Sequence, residues 1–170
     1  MTYSNVSIYK DIVNEAFTEM LSLKKESRVP KEDGSGGHII KYDPDQRSFK
    51  HSMIVVAFMG MWLEAFFHHE MIKQHSKTQF HKHRKDSYRE KLELIGINEP
   101  SILNKAKAFQ KTRNDLIHEE AFLDKGVIKI AQDEAEQAHE IIEYVSRIKG
   151  DGGIKELKGT EALKVSGNVN

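Results

Sequence analysis

The stretch Met53-Ile-Val-Val-Ala-Phe-Met-Gly-Met-Trp-Leu-Glu-Ala-Phe-Phe67 decides the fold. It is apolar on nearly every side of a helix, with Glu64 as the sole acid between Ser52 and Phe67. A helix of that kind sits in the middle of a bundle or against a second subunit. The run is too short for a bilayer span and carries a charge. The spacing predicts a helix over about 48–75, and what surrounds it must supply amphipathic partners.

Three further long helices are predicted. Residues 5–26 place Ile8, Ile12, Ala16, Met20 and Leu23 at spacings of three and four. A third helix opens with Asn98 as N-cap and Pro100 in its first turn and runs to about His118. Its inner stripe is Ile102, Ala106, Phe109, position 113, Leu116 and Ile117. A fourth opens at Asp133–Glu136, which has capping-box form, and buries Ala138, Ile141, Ile142, Val145 and Ile148. A short helix closes at Gly96, as suits a C-cap. Residues 29–47, rich in Gly and Pro, read as a loop with a short extended piece at His38–Lys41, and 121–132 as a loop or minimal hairpin. The sum is an all-α helical bundle over residues 1–150, with 151–170 a weakly packed tail.

The 170 residues suit one domain, and 31% charged with 38% apolar residues is a globular balance. The chain has no cysteine, which excludes disulfides, thiolate metal sites and a cysteine nucleophile. No secretory signal and no membrane element are read from it, so a cytoplasmic location is expected. The formal net charge is zero, which argues against a broad nucleic-acid-coating surface. The charge is unevenly spread, however. From Lys73 to Lys91 seven Lys/Arg face two acids, and from Asp115 to Glu143 nine acids face two lysines. The plain account is two solvated faces of opposite sign; the functional one is a basic rim beside a site that handles phosphate.

Local rules fail at Arg113, which falls on an apolar stripe. An inward guanidinium needs a partner, because desolvating a lone one is very costly. Glu64 is the complementary oddity, on a helix face with Ala57, Gly60 and His68. An Arg113–Glu64 pair would satisfy both, and as structure alone would fix the bundle's register. Beside Arg113, Gln110, Asn114 and His118 stack along another face at spacings of four. His118 is about 140° around an ideal helix from Arg113, so one straight helix cannot aim both at one atom. Either the helix ends or bends near Ile117, or two copies complete the site.

Arginine with histidine is a sensible set for cutting RNA. Attack of the 2′-hydroxyl on the adjacent phosphate needs a proton acceptor near neutral pH and a cation at the phosphate. Imidazole titrates at about 6.5, and the guanidinium fork matches phosphate oxygens. Asn114 would hold the imidazole or a phosphate oxygen, and Glu119 and Glu120 would favour the protonated ring. Metal and phosphate-loop readings fare worse. His68, His69, His75, His81 and His83 cluster without a His-Glu-x-x-His motif, and Gly34-Ser35-Gly36-Gly37 lacks the following Lys-Ser/Thr. No metal and no cofactor are expected.

With Arg113-Asn114 followed by His118, the chain resembles the HEPN superfamily (higher eukaryotes and prokaryotes nucleotide-binding domain) and its Arg-polar-x-x-x-His pattern. Met61-Trp62-Leu63-Glu64-Ala65-Phe66 is similar to an aromatic-rich helix with an internal Glu found in several members. The resemblance covers roughly residues 5–148. It implies an up-and-down bundle, here four long helices plus a short one, that dimerises so that both motif copies meet in a cleft. It further implies a metal-independent endoribonuclease of the toxin–antitoxin or phage-defence kind. Arg113 and His118 would be catalytic, Asn114 and Glu64 supporting, and the partners RNA, a second copy and an antitoxin protein. One toxin branch has a tyrosine two residues after the histidine, where this chain has Glu120. The family also holds non-catalytic members, so an interaction or nucleotide-binding module is the alternative.

Overall fold

A computed structural model describes residues 5–32, 34–40, 45–118 and 125–150. It is all-α. Among these residues are six helices, α1 (Asn5–Glu26), α2 (Arg47–Gln74), α3 (Lys77–His83), α4 (Tyr88–Leu94), α5 (Pro100–His118) and α6 (Lys125–Lys149). The only strands among them, β1 (Arg28–Pro30) and β2 (His38–Ile40), form a three-residue antiparallel pair in register Val29 to Ile39. The extended piece expected at His38–Lys41 is therefore half of a small hairpin.

The helix α2 is the centre. Trp62, Phe66, Met59 and Val55 are fully buried on it, and α1 and α6 cover it most extensively. It is long and apolar enough to cross a membrane by length and composition, and half of that apolar window is buried by the rest of the chain. The helix α1 has the expected bounds but is turned. Val6 and Val13 join Ala16, Met20 and Leu23 in the core, while Ile8 lies outside. Arg47 pairs with Glu19 at 3.4 Å and the Tyr9 and Phe58 rings are 6.0 Å apart, so α1 and α2 run antiparallel.

The helix α5 packs on α6 and α4. Ile102, Leu103, Ala106 and Phe109 are buried as its stripe requires. Its first residue is Pro100, so Glu99, not Asn98, precedes it; the Glu99 carboxylate accepts from the Ser101 N–H. The larger difference is at α6. Val127–Ile130 are helical, and the helix starts at Lys125, eight residues before the expected Asp133. The β-propensity of that tetrapeptide is a weak preference, which a continuing helical stripe of Ala131, Ala135 and Ala138 overrides. Ile148 is exposed rather than in the stripe.

Two short helices occur where one was expected. Ser76 caps α3, its side chain accepting from the Gln79 N–H at 3.2 Å. A reciprocal capping box between Ser87 and Glu90 starts α4. Gly96, at φ 83°, ends it. The Ile97 N–H bonds the Leu92 carbonyl and the Gly96 N–H the Glu93 carbonyl, both at 2.9 Å, which is the Schellman arrangement with Ile97 buried beyond it. The expected tail, 151–170, lies outside the described residues.

Candidate functional site

The helix α5 crosses α2 where α2 has a glycine. Gly60 leaves room for the Arg113 side chain to lie on the α2 backbone. A Cβ placed on Gly60 would be 2.1 Å from Arg113 Nε and 2.5 Å from its Cδ. Arg113 is half-buried, and its Nε is buried with no hydrogen-bond partner. Among the described residues no carboxylate pairs with it.

Glu64 was the expected partner, and the pairing is different. Both Glu64 oxygens accept from Lys91 Nζ, at 2.9 and 2.8 Å. Lys91 reaches across from α4 with its side chain 5% exposed, while the Glu64 side chain is 44% exposed. The ammonium also lies 5.5 Å from the Phe67 ring centroid and 5.7 Å from that of Tyr88. A compact, deeply desolvated cation has the stronger need for the charge. The carboxylate satisfies it, and the guanidinium is left at the edge of the pair.

Tyr88 completes the wall. Its backbone N–H donates to Gln110 Oε1 at 3.0 Å, and its ring stacks on Phe109 at 6.0 Å. Burial pushes its phenol up to about 12, with Arg113 opposing the shift and Glu64 adding to it. Tyr88 therefore stays a neutral hydroxyl at physiological pH. Beside Arg113 on α5, Thr112 is a hydrogen-bond partner of Glu134 of α6. Burial raises its carboxyl above the usual range, an effect that the Thr112 bond opposes and Asp133 reinforces.

Of the expected site residues, Arg113 and Glu64 are brought to the same crossing without pairing, and Asn114 is exposed on α5. The backbone of α5 runs unbroken through His118, so positions 113 and 118 sit about 140° apart on one helix. The His118 side chain, and Glu119 and Glu120 altogether, lie outside the described residues. Lys91 and Tyr88 were missed. The signal was present: Tyr88, Lys91, Leu92 and Ile95 form a helical stripe in which Lys91 is the misplaced charge, the same rule that exposed Arg113.

What the crossing offers chemically is a half-buried guanidinium that no carboxylate among the described residues pairs with, beside a neutral phenol and an ion pair whose ammonium is buried. Such an arginine takes phosphate or carboxylate oxygens. No group of three or more His, Asp or Glu side chains spaced for a metal occurs among the described residues. A groove of 640 Å³ lies elsewhere, between α1, α5 and α6. Its charges are mixed, Lys10, Lys105 and Arg147 against Glu140 and Glu143, and Lys105 is bridged to Glu140. Comparison with protein-family models, with curated proteins and with solved structures finds no match to the chain.

Proposed function

We propose that the chain is a metal-independent endoribonuclease of the HEPN type, acting in the cytoplasm as a homodimer and belonging to a toxin–antitoxin or phage-defence system. The observation that carries the reading is Arg113, a cation held inward against Gly60 with no carboxylate paired to it among the described residues. Four long helices, α1, α2, α5 and α6, are the elements an up-and-down bundle of this type requires, with α3 and α4 inserted between the second and third.

In this mechanism His118 takes the proton of the 2′-hydroxyl as that oxygen attacks the adjacent phosphorus. The bond from phosphorus to the 5′-oxygen breaks, and that oxygen takes a proton from a protonated imidazole. Arg113 stabilises the charge on the phosphate oxygens, and Asn114 orients a phosphate oxygen or the ring. Glu64 supports the site by holding Lys91. A second copy is invoked because one unbroken helix separates positions 113 and 118. The outward face of α2 suits it. Ile54, Met61 and Ile72 form an outward stripe on α2, 37%, 39% and 43% exposed. That stripe borders Gly60 and Glu64, so a twofold pairing along it brings two copies of Arg113 near each other.

Purified wild type, Arg113→Ala and His118→Ala are incubated with RNA in the presence of a chelator. The expected result is cleavage by the wild type alone. Cleavage by all three, or by none, overturns the assignment and leaves a helical binding module.

A further inference from the structure

The segment after α2 is built unlike the rest of the chain. The helix α3 has no buried residue, and a seven-residue helix is marginal without tertiary support. Its one apolar anchor is Phe80, half-buried, with its ring 5.8 Å from Phe67 and 4.5 Å from His68, edge on. Around that anchor stand Lys77, Lys82, Arg84 and Lys85, all exposed.

These four cations are the unneutralised part of the basic stretch. Its other three are occupied: Lys73 lies 3.6 Å from Glu70, Arg89 is 3.0 Å from Glu93, and Lys91 is held by Glu64. The nearby acid Asp86 accepts from His83 at 2.8 Å, and Glu90 is engaged by Ser87 in the capping box. Among the described residues no carboxylate pairs with Lys77, Lys82, Arg84 or Lys85. Four like charges on the weakly packed α3 and the two residues after it repel one another, and a chain of zero net charge has no general need of them. A polyanion removes that repulsion.

We propose that Lys77, Lys82, Arg84 and Lys85 form the surface on which the phosphate backbone of single-stranded RNA lands, with the Phe80–His81 edge as an aromatic platform for a base. A basic surface interleaved with aromatic rings is how single strands are held without sequence preference. The His81 side chain is exposed and its ring lies 5.6 Å from that of Phe80. Packed side chains link this surface to the Arg113 crossing. Phe80 touches Phe67, Phe67 lies under Lys91, and Lys91 holds Glu64. Phe67 is two turns of α2 from Gly60, a rise of about 10 Å. A strand seated on α3 thus lies within about two turns of α2 of the Gly60–Arg113 crossing. The proposal deepens the endoribonuclease reading and rests on it for the choice of RNA.

The test is fluorescence anisotropy with a labelled single-stranded RNA and the full chain carrying His118→Ala, titrated with salt. Lys82→Glu/Lys85→Glu and, separately, Lys77→Gln/Arg84→Gln are compared with Lys25→Glu/Lys31→Glu. That last pair is exposed near the C-terminal end of α1, which lies beside the other end of α2. Each α3 pair is expected to weaken binding by about tenfold at about 50 mM salt and to reduce the slope of log K against log salt by about 1.4, two phosphate contacts at ~0.7 each. The control pair leaves both unchanged. Melting curves confirm folding, and because every α3 change is at an exposed position both variants are informative. Equal affinity of the α3 variants and their parent, or no RNA binding by the parent, overturns the landing surface. If the parent binds through α3 but the wild type never cuts, the surface stands and the nuclease reading falls. If the wild type cuts and the α3 variants bind undiminished, the reverse holds.

Discussion

Arg113 occupies the space that a side chain on Gly60 would fill, its Nε 2.1 Å from where that Cβ would stand. The glycine is not required by backbone conformation, since it lies inside α2 with ordinary helical geometry. Its role is to let a cation lie against a helix that is otherwise apolar there.

Gly60→Ala is therefore expected to separate stability from activity. Alanine favours the helix by about 0.5–1 kcal/mol, which offsets the cost of swinging a flexible side chain away. RNA cleavage should fall by about 100-fold, as for loss of one stabilising donor, while the melting temperature stays within a few degrees. Initial rates and thermal melts on the same preparation check this. A Gly60→Ala protein that cuts at the wild-type rate would show that the position of Arg113 is immaterial.

The Glu64–Lys91 pair is asymmetric, and its two members should not be equally costly to lose. Glu64→Gln strands a buried ammonium and is expected to cost about 1–3 kcal/mol, below the range for a fully buried pair because the carboxylate is half in water. Lys91→Met keeps the packing against Phe67 and Tyr88 and leaves a carboxylate that solvent can hydrate, so its cost is expected to be under about 1 kcal/mol. Urea unfolding midpoints decide it. The opposite order would mean that the carboxylate, not the ammonium, is the desolvated partner.

Glu134 gives a pH signature. Its folded-state carboxyl is raised by burial above the ordinary 4.5, so the folded protein holds the proton longer than the unfolded chain. Its contribution is fully present below 4.5 and is lost as pH rises from there through the raised value. Glu134→Gln should accordingly raise the melting temperature at about pH 7, and the gain should vanish near pH 4. A gain of equal size at both pH values would sink the assignment to ionisation.

Met61→Glu places a charge in the middle of the outward α2 stripe, away from the core. If the proposed homodimeric ribonuclease pairs along this stripe, the change is expected to yield a monomer and to abolish RNA cleavage with little change in helix content. Light scattering and circular dichroism read the two effects. A Met61→Glu protein that remains dimeric would move the interface elsewhere.

Much of this protein was legible from spacing alone. The three-and-four periodicity of apolar residues, Gly96 and Pro100 gave the long helices, the short helix before Gly96 and the all-α class. A charge on an apolar stripe singled out Arg113. Where local reading failed, it failed for want of a neighbour. Val127–Ile130 has strand-forming side chains, yet joins a helix whose later turns are buried alanines. Ile8 has the right spacing for the core of α1, yet Val6 and Val13 take that face, because a helix's rotation is set by what packs on it.

Sequence by itself determined that Arg113 and Glu64 each needed company inside a helical bundle, since desolvation penalises any lone charge wherever the fold puts it. Only the tertiary structure decided who meets whom. It brought Lys91 of α4 to Glu64 and left Arg113 on Gly60, because the choice among competing partners is set by distances between helices, and no spacing within one helix contains them.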